Sequence, residues 1–265
     1  MKYKTYNCNS FNVHTIKTDK FKTSHVEVIF RDIANKDEMG AYSFLADMLS
    51  QSSKTYPRKK DLITRFEELY KIIVYATTLR VGNVLDFHVS LDFINPDYIN
   101  DKNYVEEVIK TLFDIIENPN VTNDEFDLKT FNIVKERLRR EINSLKENPV
   151  KQSIKEAIKT MDSNSPTSYE ILGTIEELEN ITPAKLYNAY KSLRKNFKVD
   201  VFLIGNLDMD NVASLIKKYF KNRYIIENKL DLMVDNKEIK RLVVKSMASD
   251  NVQANLVMLF NLDNL

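Results

Sequence analysis

A single cysteine, Cys8, stands in 265 residues. That excludes an internal disulfide framework and a cysteine-based zinc site. Cys8 itself reads as a small strand residue rather than a nucleophile. Glycine is scarce as well. Gly40, Gly82, Gly173 and Gly205 lie too far apart in sequence to build a phosphate-cradling loop. Excess charge of either sign is missing: 39 Lys+Arg stand against 38 Asp+Glu, a net charge of +1. A chain that grips phosphate backbones carries a basic excess or stripe, so no nucleic-acid partner is expected. No run approaches the ~18 apolar residues of a membrane span. The first residues, 1–13, lack an apolar h-region, so no signal peptide is expected and the expected compartment is the cytoplasm.

What is present is ordinary globular material. Hydrophobic residues make up 43% and charged residues 29%, enough for a sizeable core in one large domain or two small ones. Segments 11–18 and 23–33 alternate like strands, and the turn-like Thr18-Asp19-Lys20 between them predicts a hairpin. Residues 37–52 read as a helix with Ala41, Phe44, Leu45, Met48 and Leu49 in one stripe, and Gly40, Ser43, Asp47 and Ser50 opposite. A shorter helix follows over 59–70, then strands over 72–80 and 84–94. In the second strand Leu85, Phe87, Val89, Leu91 and Phe93 point one way, and Asp86, His88, Ser90 and Asp92 the other. That alternation predicts a half-buried strand in a mostly antiparallel sheet.

Helices are predicted over 104–117 and from a capping box at Thr122 and Glu125 to residue 147, with a third beyond Pro149. Thr174 and Glu177 form another capping box. Thr182-Pro183 opens a further helix. A strand over 197–204, a Gly205-Asn206 turn and a helix capped by Asp208 complete a first domain over 1–220. Residues 221–240 read as a linker. Strands over 241–245 and 255–260 read as the start of a second, incomplete domain spanning 241–265. The order of elements implies an α+β fold, a mostly antiparallel sheet with helices packed on one face.

Several stretches resemble the insulinase/pitrilysin-like metallopeptidase family, in its mitochondrial-processing-peptidase-like branch. They are Gly173-Thr-Ile-Glu-Glu-Leu-Glu-Asn-Ile-Thr-Pro183, the Gly205-Asn-Leu-Asp208 turn, Glu141-Ile142 with Pro149 downstream, and Val252-Gln-Ala-Asn-Leu-Val-Met258. Their order and spacing cover nearly the whole chain. The resemblance implies a processing-peptidase-like two-layer sandwich. It also implies that the helix Gly40-Ala-Tyr-Ser-Phe-Leu-Ala-Asp-Met-Leu49 corresponds to the one carrying the family's inverted zinc motif, His-x-x-Glu-His. Two imidazoles four residues apart on a helix can share a metal, with the glutamate as general base.

Here the same frame reads Ser43-Phe44-Leu45-Ala46-Asp47-Met48-Leu49. A serine hydroxyl is a poor zinc ligand, one carboxylate does not make a site, and Ala46 accepts no proton. The family's third ligand falls at Arg140, or at Glu141 if the alignment slips by one. The resemblance therefore implies a member without metal, cofactor or catalytic residues. Such a member would act as the peptide-binding half of a heterodimer whose paralogous subunit carries zinc. The chain also looks like the metal-free member of a bacterial pair associated with 5-aminopentanol modification of elongation factor P. A metal-free scaffold in a modification complex, without proteolysis, is the alternative. A residual peptidase using Asp47, Glu141 and a histidine is a third reading.

Three further features have bland and sharp readings. If the first hairpin turned near residues 19–20, His14 and His25 would lie opposite each other, but no third ligand announces itself. The row Asp86, His88, Ser90 and Asp92 is either a solvated sheet face or, by the family likeness, a peptide-contacting wall of an interior chamber. It is not a Ser-His-Asp triad, because residues two apart on a strand stand side by side. Lys135, Arg137, Arg139 and Arg140, interleaved with Glu136 and Glu141, read as a salt-bridged exposed helix face.

Overall fold

The computed structural model describes residues 2–146, 148–221, 224–226, 230, 232, 242–248 and 254–260. The chain opens with strands β1 (Lys2–Asn7), β2 (Asn12–Lys17) and β3 (Thr23–Ile33), then helices α1 (Met39–Leu49) and α2 (Lys59–Glu68). Strands β4 (Ile73–Val81) and β5 (Val84–Ile94) form an antiparallel hairpin. Next come α3 (Tyr104–Glu117), a two-strand hairpin of β6 (Val121–Thr122) and β7 (Glu125–Phe126), and α4 (Leu128–Lys146) and α5 (Pro149–Met161). The chain continues through α6 (Ile175–Asn180), α7 (Pro183–Asn196), β8 (Lys198–Gly205) and α8 (Met209–Tyr219).

Six strands make one sheet in the order β1-β2-β8-β3-β5-β4. Only β2 and β8 pair in parallel; the other neighbours are antiparallel. The predicted hairpin of the second and third strands does not form, because β8 lies between them and pairs with both. Five residues, 18–22, suffice to step over one inserted strand, since two strand spacings amount to only ~10 Å.

The sheet has two unlike faces. Val26, Val28 and Phe30 stand in register with Leu91, Val89 and Phe87 of β5 and with Leu203, Val201 and Val199 of β8. All nine are buried, and with the apolar faces of α1, α3, α4, α7 and α8 they form one core. The opposite face carries His14, Asp200, His25, Glu27, Arg31, Asp86, His88, Ser90 and Asp92.

Local capping signals succeed where they are short range. Thr174 and Glu177 make a full capping box, Thr182 caps α7 with Pro183 behind it, and Asp208 caps α8. The capping box read at Thr122 and Glu125 is a correction. Those residues pair across the β6–β7 hairpin, whose tip residues Asn123 and Asp124 both take positive φ. That is the backbone that two-residue hairpin loops demand and that Asn and Asp tolerate. The cap of α4 is Asp127, whose carboxylate accepts from the backbone N–H and the hydroxyl of Thr130.

Of the strands expected over 241–245 and 255–260, the described residues, 242–245 and 255–260, belong to no helix or strand. No strand lies beside them among the described residues, and Leu242 and Leu256 are more than four-fifths exposed. Most of the linker read over 221–240 lies outside the described residues.

Candidate functional site

Helix α1 is wrapped more completely than its sequence stripe implies. Apart from Ala41 and Asp47 its residues are all buried, Gly40, Ser43 and Ala46 included. It packs against β4, α4 and α7. At its N-terminal end the backbone of Gly40 meets Gly173, so closely that a Cβ on Gly40 would stand 3.1 Å from the Gly173 Cα. The small polar face that the sequence places here is therefore an internal seam, not an open surface.

Each position of the degenerate motif has been put to another use. The Ser43 hydroxyl donates to the Ile171 carbonyl at 2.5 Å and lies 2.6 Å from the Thr78 hydroxyl. Serine has one proton to give, so Thr78 is the donor in the second bond. Ala46 is apolar and 2% exposed. The Asp47 carboxylate receives the Arg137 guanidinium of α4 at 2.8 Å. Replacing Ser43 with alanine leaves Thr78 and the Ile171 carbonyl short of a partner in a dry place, and should cost ~1–2 kcal/mol in urea unfolding.

The two positions expected for the third ligand, Arg140 and Glu141, are both exposed on α4. Arg140 Nε donates back to the Glu136 carbonyl at 3.3 Å. The basic residue of α4 that pairs with α1 is Arg137, one turn earlier. Its neighbours Lys135 and Arg139 pair with Glu179 of α6. The basic row on α4 is thus mostly an inter-helix seam, although Arg139 and Arg140 also use Glu136 on their own helix. Nothing in local spacing marks Arg137, because its partner lies 90 residues away in the chain.

The family likeness implies zinc at this place, and the residues do not fit it. The one oxygen pair that could ligate, on Asp47, already faces a permanent cation. The Ser43 oxygen is committed to its two partners. Among the described residues no group of three His, Cys, Asp or Glu side chains is arranged to hold a metal.

The polar face of the sheet is the second locus. Of the four β5 residues, Asp86, His88 and Ser90 are buried and only Asp92 is half-exposed. The solvated-face reading is therefore corrected: long neighbouring side chains lie across the row. Glu27 of β3 accepts from Ser90 Oγ at 3.1 Å and stands 2.8 Å from His88 Nδ1. Asp92 stands 2.8 Å from His25 Nδ1, and His25 Nε2 faces the other Glu27 oxygen at 4.0 Å. Further along, Arg31 lies between Asp86 at 3.4 Å and Asp200 at 3.0 Å. Asp200 also meets His14 Nε2 at 3.3 Å.

His14 and His25 are not opposite each other. His14 registers with Phe202 of β8, and His25 with Ile204 on the far side of that strand. The flanking imidazoles of His25 and His88 hold the Glu27 carboxyl far below the usual carboxylate range. In return Glu27, and then Asp92, raise His25 above its ordinary value against the opposing effect of burial.

No family model matches the chain. It is 28% identical over 234 residues to the "Probable inactive metalloprotease YmfF" of Bacillus subtilis, covering 85% of this chain and 54% of that protein. Over 142 residues it is 28% identical to the "Uncharacterized zinc protease YmfH" of the same organism, covering 53% of this chain and 30% of that one. Its fold matches a peptidase M16 inactive domain from Pseudomonas fluorescens with a TM-score of 0.67, at 16% identity over 85% of this chain and 52% of that one. The chain is similar to an M16-type inactive peptidase homologue in sequence and shares the M16 fold.

The chain has the α+β sandwich of that fold, and its α1 carries no His-x-x-Glu-His motif. It spans about half the length of YmfF and less of YmfH. No helix of the described residues is long and apolar enough to cross a membrane.

Proposed function

We propose that this chain is the non-catalytic, peptide-holding half of a two-subunit insulinase-like peptidase, with a zinc-bearing paralogue doing the cutting. The observation that carries the reading is the fate of α1. Its three motif positions hold a committed serine, an alanine and an arginine-paired aspartate, while the surrounding fold is kept intact. A scaffold retained without its chemistry is suited to enclosing and positioning a substrate. Likeness to both an inactive and a zinc-named protein of one organism agrees with a paired arrangement.

Strand β4 is where a peptide would lie. Among the described residues it is the last strand of the sheet and pairs with β5 alone, so one side of its backbone has no strand partner there. Ile73, Tyr75, Thr77, Leu79 and Val81 are exposed along it, beside Asp92, Ser90, His88 and Asp86 of β5. An extended segment adding to such an edge gains main-chain hydrogen bonds, and alternate side chains reach the polar face.

The test is to purify the whole polypeptide that carries this chain, a paralogue with an intact His-x-x-Glu-His motif, and the two together. Peptide cleavage is expected only from the mixture and should be lost to a chelator. Cleavage by this polypeptide alone would overturn the reading. Stable pairing without cleavage would replace it with the scaffold in a modification complex.

A further inference from the structure

The polar face holds all three histidines of the chain. It also holds four carboxylates, Glu27, Asp86, Asp92 and Asp200, against two fixed cations, Arg31 and Lys198. Asp86 and Asp200 are nine-tenths buried and share Arg31. The accessible acid is the pair Glu27 and Asp92, whose side chains are 27% and 39% exposed. Between them stands His25, itself 28% exposed, with Nδ1 on Asp92 and Nε2 toward Glu27. Around it, β8 offers Phe202 and Ile204, β4 offers Ile73, and β5 offers Asp92, Ser90 and His88. No arginine or lysine pairs with Glu27 or Asp92 among the described ion pairs. One imidazole is therefore the group between two half-exposed carboxylates, on β3, with two strands between it and β1 and one between it and β4.

We propose that His25 is a proton-operated clasp that sets which peptide side chains this face accepts. Charged, it ties Glu27 to Asp92 and closes the acidic centre. Neutral, it leaves both carboxylates to a lysine or arginine side chain of a peptide lying over this face. The inference rests on the peptide-holding reading above and adds to it a substrate feature and its regulation. Imidazole is the side chain suited to such a device near neutral pH. The direction follows from charge: a ligand cation and the His25 proton compete for the same two carboxylates, so binding one expels the other. Removing one positive charge about 4 Å from a bound ammonium in a largely hydrated site is worth about fivefold in affinity.

The experiment uses the full chain and two acetylated, amidated Thr/Val-rich decapeptides, one with a central lysine and one with norleucine in its place. Binding is followed by fluorescence anisotropy at pH 6 and pH 8. The lysine peptide should bind ~fivefold tighter at pH 8, the norleucine peptide equally at both. His25→Gln should bind the lysine peptide with the same affinity at both pH values. Equal pH response of the two peptides overturns the clasp and leaves the peptide-holding reading standing. Binding of neither peptide overturns both. A second measurement stands apart from any ligand: the NMR titration of the His25 imidazole should move to lower pH in Glu27→Gln. An unmoved titration overturns the clasp.

Discussion

Phe30→Ala should lower the unfolding free energy by ~3–5 kcal/mol, the range for a large aromatic deleted from a rigid core. Phe30 is fully buried at the middle of β3, between β8 and β5, where the sheet cannot close around a void without breaking register on both sides. Its ring meets Phe87 and Phe220 edge to face, each at 6.2 Å between centroids. The Arg194 guanidinium stacks 5.7 Å away. Phe220 follows α8 and Arg194 lies on α7, so one side chain joins the sheet to the two C-terminal helices. The urea midpoint should fall with the slope unchanged, since the same surface is exposed on unfolding. Phe21→Ala is the control: that ring is 57% exposed, and its loss should stay within about 0.5 kcal/mol. A Phe30 variant that unfolds like the control would mean the helices and the sheet do not share this core.

The parts of the fold that the sequence discloses are those set by neighbours a few residues apart. The alternation through Leu85, Phe87, Val89, Leu91 and Phe93 places β5 correctly because inward and outward side chains follow from strand period alone. The caps at Thr174, Thr182 and Asp208 are legible because a side chain and the N–H it accepts from lie within one turn. The insertion of β8 between β2 and β3 is not legible, because a strand 180 residues downstream leaves no mark on the five residues it separates.

The candidate site divides the same way. The loss of ligands at Ser43, Ala46 and Asp47 is a local substitution and can be read directly. What replaced them cannot. Arg137 against Asp47, Thr78 against Ser43 and Glu27 against His88 are pairs that only tertiary packing brings together. The polar row on β5 shows the limit of periodicity. Alternation tells which residues share a face; it does not tell that Arg31 and Glu27 lie over that face and bury it.

The second large effect is expected at Gly173, where the loop ahead of α6 touches α1. Its φ is +72°, a conformation that costs other residues ~1–2 kcal/mol. The space is closed as well. A Cβ there would stand 2.8 Å from the Gly40 Cα and 2.6 Å from Glu177 Oε2. Glu177 can swing away, but only by releasing the Thr174 N–H that completes the capping box, worth ~1 kcal/mol. Gly40 cannot, because it is backbone inside α1. Gly173→Ala should therefore cost about 3 kcal/mol in all, and should push α1 away from the 171–173 segment. The Ser43 bond to the Ile171 carbonyl lies two residues from the altered position and would lengthen with it.

Hydrogen exchange then gives a directional check. Amides of α1 and of α6 should lose protection together in Gly173→Ala, while those of β3 and β5 keep theirs. Gly40→Ala should cost less than half as much. Its nearest contacts, 3.1 to 3.4 Å, need only a few tenths of an ångström of give, and alanine suits a helix better than glycine. If Gly173→Ala left α1 protection untouched, the close approach of the two glycines would not be what seats α1.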